Sequence, residues 1–148
     1  PEAEARAHVR HVSRMFLVAA KLRVALLAIA LRKGYGLGAM AMAGGGFRSA
    51  NFTISWPTGE FGPMGLEGAI RLGFKKELEA LPHGPARQRL YDKLVAQAYE
   101  RGHALSTAAA AEIDAVIDPA ATRTWIAQGI DSALRRGQRP RRAFVDAW

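Results

Sequence analysis

Residues 24–46 leave the chain little choice of fold. Val24 to Leu31 is a continuous apolar block; Arg32 and Lys33 follow, and Gly34, Gly36 and Gly38 punctuate the start of a small-residue segment that runs into Gly44, Gly45 and Gly46. A short apolar run with no alternation of faces predicts a strand covered on both sides, as parallel strands are. The glycines predict a tight turn, and the residues after them the first turns of a helix that the glycine triplet stops. A strand feeding such a turn leaves unpaired backbone N–H groups aimed at one spot, with the positive end of a helix dipole behind them. That spot suits an anion, either a resting phosphate or an oxygen that becomes negative only during a reaction.

The rest of the chain supplies layers around this unit. Val9, Val12, Phe16 and Ala19 fall at helical spacing, with Arg6, Arg10, Arg14 and Lys21 largely off the stripe, and predict one amphipathic helix from Glu2 to about Leu22. Asn51 to Trp56 alternates with β-branched and aromatic residues until Pro57 closes it, giving a second strand and a parallel crossover. Pro63 is expected to open a helix carrying Leu66, Ile70 and Phe74 one turn apart. The small residues Gly65, Gly68, Ala69 and Gly73 on it predict close approach to another backbone. After the Pro82-His83-Gly84-Pro85 break, a helix is expected from Ala86 to Arg101 with Gly102 as its stop. Ser106 is expected to cap a short alanine-rich helix, Ile113 to Ile117 to form a brief strand, and Asp118-Pro119 to open a last helix that Gly137 ends.

At 148 residues, 49% hydrophobic and 23% charged, the chain has the make-up of one ordinary globular domain. It has no cysteine, which excludes disulfides, thiolate metal sites and a cysteine nucleophile. The net charge of +8 permits a nucleic acid, an anionic membrane or a phosphate-bearing small molecule as partner. Its densest run, Arg135, Arg136, Arg139, Arg141 and Arg142, has no interleaved aromatic to stack on bases and reads as a solvated tail. The apolar run from Met15 to Leu31 is broken by Lys21 and Arg23 and is too short to span a bilayer, so neither nucleic acid nor membrane is expected as a partner. A cytoplasmic location is expected. With Pro1 first and a helical pattern beginning at once, the sequence reads as the later part of something longer.

Side-chain chemistry is sparse. His8 and His11 lack a third ligand nearby in sequence, so no metal site is expected. Gly36-x-Gly38-x-x-Ala41 matches a dinucleotide fingerprint, and Glu60 stands near where an acid for the ribose belongs. The glycine triplet, however, leaves the crossover helix only about two turns, whereas a dinucleotide unit needs several. No phosphate loop, nucleophile elbow or zinc-binding H-E-x-x-H pair is present. Glu60, Glu67, Glu112, Asp114 and Asp118 are scattered and read as surface charges or helix caps. Any catalytic contribution therefore falls to backbone N–H donors.

Four motifs, in order, resemble one family. They are Arg32-Lys33-Gly34-Tyr35-Gly36-Leu37-Gly38-Ala39; Trp56-Pro57-Thr58 with Met64-Gly65 and Gly68-Ala69; Ile113 to Pro119 with Thr122-Arg123; and Val145-Asp146-Ala147-Trp148. Together they resemble the carboxyltransferase (β) subunit of biotin-dependent acyl-CoA carboxylases, the propionyl-CoA and acetyl-CoA carboxylases among them. The resemblance implies an α/β, crotonase-like (ClpP/crotonase ββα spiral) fold, of which residues 1–148 would be the C-terminal part of the second carboxyltransferase domain. It also implies a reaction in which CO₂ moves from N1 of carboxybiotin to the α-carbon of an acyl-CoA while biotin takes the α-proton, so no protein base is needed.

By the same resemblance, the family's amide pair falls on Leu37 and Gly38, whose N–H groups would hold the biotin ureido oxygen, with Gly36, Ala39 and Met40 on the substrate-binding side. Family members commonly have Gly-Ala at the pair, so Leu37 is a departure that a backbone donor tolerates. Met40 stands where several short-chain carboxylases have Asp, and implies a bulkier or more apolar acyl group. The implied cofactor is biotin on a separate carrier protein or domain, and the implied substrate a CoA thioester. The implied partners are a biotinylated carrier or α subunit and the first domain of another subunit in a homo-oligomer. A fragment of this kind alone would be inactive and prone to associate. A nucleotide-binding module and a non-catalytic assembly piece are the alternatives.

Overall fold

The computed structural model describes residues 2–136. The expected helix stop at Gly137, Arg139, Arg141 and Arg142 of the basic run, and the Phe144 to Trp148 stretch lie outside the described residues. The chain begins with α1 (Glu2–Ala5) and α2 (His8–Lys21). The one continuous helix expected here is broken at Ala7, which takes a left-handed φ of 52°. All of α1 is exposed, so no burial rewards extending α2 through it. Phe16 and Ala19 of α2 are half-buried, but Val9 at its start is 73% exposed and no residue of the helix is fully buried.

The apolar block forms β1 (Leu27–Ala30), and the segment after it departs from a simple turn: Lys33–Tyr35 is a second short strand, β2, before α3 (Gly36–Met42). The helix ends where the glycine triplet begins, with Gly44 and Gly45 at positive φ. Next come β3 (Phe52–Ser55) and β4 (Glu60–Gly62). β1 pairs in parallel with β3, with Leu27 opposite Phe52 and Ile29 opposite Ile54, as the crossover reading predicts. β2 pairs in parallel with β4, with Lys33 opposite Glu60 and Tyr35 opposite Gly62. This second ladder depends on Gly34, where a Cβ would lie 3.0 Å from the Phe61 ring.

The helical half follows as α4 (Leu66–Gly73), α5 (Lys75–Glu79), α6 (Pro85–Gly102) and α7 (Ala104–Ala109). Leu66 and Ile70 are buried on α4, whereas Phe74 caps the helix and is 37% exposed. The close backbone approach expected at Gly65, Gly68 and Gly73 is absent among the described residues, because a Cβ at each would meet nothing within 4 Å. Gly102 is instead the close approach: a Cβ there would run into the backbone carbonyl of Phe61. Ser106 is not the cap of α7. The helix begins directly after α6, so His103 is the N-cap, its Nδ1 accepting from Leu105 N–H at 3.4 Å. The Ser106 hydroxyl, already inside the helix, donates to the Glu100 carbonyl at 2.7 Å.

A last strand, β5 (Ala115–Val116), adds in parallel to β3 and completes a three-stranded sheet in the order β1-β3-β5. Asp118 caps the next turn as expected, accepting from Ala120 N–H at 2.8 Å, and a 3₁₀ turn (Pro119–Ala121) leads into α8 (Thr122–Arg136). α8 lies on the sheet: a Cβ at Gly129 would collide with the Phe52 ring, and Trp125 meets Phe52 edge to face at 5.8 Å.

β3 is the centre of the core. Thr53, Ile54 and Ser55 are its largest fully buried residues. The buried hydroxyls are satisfied by main chain, Thr53 donating to the Phe47 carbonyl and Ser55 lying within reach of the carbonyls of Ala30 and Trp56. Asp114 Oδ2 extends the ladder by accepting from Thr53 N–H at 2.7 Å. Beside it, Phe61, Ala104 and Ile113 form a compact cluster that ties the second sheet to α7. Ile54→Ala should lower unfolding free energy by about 2–5 kcal/mol through the cavity it leaves. Gly102→Ala should cost about 1–3 kcal/mol through overpacking against Phe61. Both are read from denaturant midpoints, and an unchanged midpoint for either would contradict this packing.

Candidate active site

The first turn of α3 is built by three local facts. Tyr35 is the last residue of β2 and also the N-cap of the helix, in extended conformation. Gly36 has φ of 62°, and a Cβ there would lie 2.8 Å from the Pro63 carbonyl oxygen, so only glycine lets the turn seat against the β4–α4 connection. As the second and third helical residues, Leu37 and Gly38 have no intrahelical acceptors for their N–H groups. The Leu37 side chain is 66% exposed, and a Cβ on Gly38 would meet nothing within 4 Å, so solvent or a ligand reaches this turn.

Beside the turn is an open cleft of about 760 Å³. Gly36, Leu37 and Met40 form one wall; Phe47, Phe61 and Pro63 stand near them, and α4, α6 and α7 supply the far side. Phe47 and Phe61 pack edge to face with ring centres 5.3 Å apart. Of the five residues singled out from the sequence, the structure thus brings three to the cleft; Gly38 and Ala39 are in the same helix but do not line it. The lining is largely apolar, with Arg101 and Glu112 as its charged members.

Apart from Glu112, the carboxylates singled out from the sequence are engaged elsewhere. Tyr35 O–H donates to Glu60 Oε2 at 2.6 Å, and Tyr99 O–H donates to Glu67 Oε1 at 2.6 Å. Burial, then the bond to Glu60, pushes the Tyr35 phenol above its ordinary value; the bond to Glu67 raises Tyr99, and the same bond lowers Glu67. Because the folded Tyr35 binds its proton more tightly than an unfolded one, the stability tied to it is complete below about pH 10 and falls as pH rises beyond. Glu60 also lines a second, separate cleft with Arg32, Trp56, Tyr99 and His103. Asp114 and Asp118 serve as backbone acceptors. His8 and His11 are exposed on α2, their ring centres 6.2 Å apart. Among the described residues no helix is long and apolar enough to cross a membrane.

Sequence reasoning missed β2, β4 and the Tyr35–Glu60 bond. The available signal was weak: a three-residue strand with glycine at its centre looks like a turn until its partner is known. The short crossover helix, in contrast, agrees with the sequence, and seven residues in α3 are too few for the several-turn helix of a dinucleotide-binding crossover.

Comparison with known proteins gives one answer. The model of the carboxyl transferase domain matches residues 2–144. The chain is 32% identical over 133 residues to the methylmalonyl-CoA carboxyltransferase 12S subunit of Propionibacterium freudenreichii subsp. shermanii, covering 89% of this chain and 25% of that protein. Among solved structures, a single-chain, multi-domain long-chain acyl-CoA carboxylase is 56% identical with a TM-score of 0.72, over 86% of this chain and 12% of that one. The transcarboxylase 12S structure, a hexamer with methylmalonyl-CoA and methylmalonic acid bound, superposes with a TM-score of 0.81 at 26% identity, over 98% of this chain and 27% of that one. The chain thus spans about a quarter of the length of that curated relative, and its parallel sheets and crossovers are part of a crotonase-like carboxyltransferase fold. By the extent of the family match and by fold, this chain belongs to the carboxyl transferase domain family.

Proposed function

We propose that this chain is the C-terminal part of the second carboxyltransferase domain of a biotin-dependent acyl-CoA carboxylase, and that its glycine turn serves carboxyl transfer. The observation that carries the reading is the family match over residues 2–144, which contains the whole turn. The turn has what a ureido group needs: two backbone donors without intrahelical acceptors, beside a cleft with apolar walls for a ring. When bound, carboxylated biotin supplies the carboxyl group that passes to the acyl-CoA α-carbon. Leu37 and Gly38 N–H donate to the ureido oxygen, and those bonds strengthen as negative charge grows there. Gly36 fixes the turn that carries both amides by seating against Pro63. Phe47, Phe61 and Met40 give that side of the cleft an apolar lining against which a bound ring would pack.

The acyl group in this reading is long. Two observations support it: the 56% identity to a long-chain acyl-CoA carboxylase, and an apolar methionine at position 40 beside the exposed Leu37. The biotin arrives on a carrier, and the first domain of another subunit completes the site. Because the chain spans so little of its relatives, it is expected to be inactive alone.

These statements are tested in the full-length protein that contains this chain. Gly38→Pro removes one N–H in the first helical turn, and outside the helix's own backbone and its chain neighbours nothing lies within 4 Å of a Cβ there. It should lower kcat for carboxylation roughly 10²–10³-fold, and undiminished turnover would refute the role of the turn. Met40→Asp should shift kcat/KM toward propionyl-CoA over a long-chain acyl-CoA by roughly tenfold; an unchanged preference would remove Met40 from specificity. Carboxylation of acyl-CoA by residues 1–148 alone would overturn the incompleteness of this site.

A further inference from the structure

The Tyr35–Glu60 pair lies one residue from the turn yet lines no part of the cleft beside it. Its geometry is diagonal: Tyr35 is opposite Gly62 in the β2–β4 ladder, and its hydroxyl reaches back to Glu60, two residues earlier on the same strand face. A sheet of two three-residue strands is marginal by itself. Glu60 is nevertheless well anchored, since its N–H donates to the Arg32 carbonyl at 2.6 Å and its backbone bridges to His103 at the α6–α7 junction. Tyr35 is thereby held to a fixed point, and Gly36, its neighbour, is pressed against Pro63, which follows β4 directly. Slippage of β2 along β4 would carry the turn with it.

Resting on the oxyanion reading above, we infer that Tyr35 and Glu60 are positioning residues: their hydrogen bond locks β2 against β4 and so fixes the Leu37 and Gly38 amides relative to the cleft. Neither lines the cleft beside the turn. The pair acts through the backbone of β2, and a misplacement of the donors by about 1 Å is enough to cost roughly 10²-fold in rate.

The test uses the full-length carboxylase with Tyr35→Phe, Glu60→Leu and Glu60→Gln, alongside Gly38→Pro. Tyr35→Phe and Glu60→Leu should each lower kcat roughly 10–100-fold with KM for acyl-CoA within about twofold. Their double variant should be no worse than either alone, because both remove one bond. Glu60→Gln, which keeps an acceptor oxygen, should restore most of the rate. Turnover within about twofold of wild type in Tyr35→Phe and Glu60→Leu, while Gly38→Pro is impaired, would overturn the positioning role and leave the oxyanion reading standing. An active Gly38→Pro, or a wild-type protein that transfers no carboxyl group, would remove that reading and this inference with it. If Tyr35→Phe does not fold, the Glu60 variants decide: loss in Leu with rescue in Gln supports the pair, and equal rates in the two overturn it.

Discussion

The structure depends on one constraint, the parallel pairing of β1 with β3. Parallel neighbours cannot be joined by a hairpin, so the chain between Ala30 and Phe52 must leave the sheet at one end and travel back to re-enter it at the other. Here that path is short. It contains β2, the turn at Gly36 and α3, and the glycine triplet sends it back at once. A longer helix would have produced a different crossover and a different site. The short one leaves the first turn of α3 beside a cleft, with Leu37 and Gly38 exposed.

Everything else holds that turn still. β3 supplies the rigid floor, with Ile54 fully buried and the Thr53 and Ser55 hydroxyls spent on main-chain carbonyls. The second ladder, β2 with β4, carries the turn on one side, and Phe61 from its middle packs both with Phe47 at the cleft and with Ala104 and Ile113 in the core. Core and cleft therefore share a wall, and stability and site geometry are coupled through one residue. Donors placed by backbone in this way tolerate side-chain change, so the exposed Leu37 side chain does not conflict with the proposed role of its N–H.

Much of this was legible in the sequence, for physical reasons. The apolar block around Ile29, the alternation from Phe52 to Ser55 and the Asp118-Pro119 cap each carry a local signal that tertiary structure had no cause to override. The glycine turn and the length of its helix were legible because Gly44 and Gly45 need positive φ. β2 and β4 were not, because Lys33-Gly34-Tyr35 and Glu60-Phe61-Gly62 become strands only by meeting each other. The end of α6 was read within a residue, at Gly102, whereas the cap of α7 was misplaced from His103 to Ser106, because α7 starts directly after α6 with no connecting loop. Gly65, Gly68 and Gly73 suggested a close neighbour that the described residues do not provide. Of the turn residues singled out from the sequence, Gly36, Leu37 and Met40 line the cleft while Gly38 and Ala39 do not, and the support of the turn was not readable: Tyr35 and Glu60 are distant in sequence, and nothing in either residue type announces the bond.

The central claim is that the amides of Leu37 and Gly38 hold the ureido oxygen of biotin. A crystal structure of the full-length protein with free biotin tests it most directly. The account predicts both nitrogens within about 2.7–3.2 Å of that oxygen, with the ring against the apolar wall of the cleft. Biotin bound away from the α3 turn, or bound there with its ureido oxygen facing solvent, would contradict it.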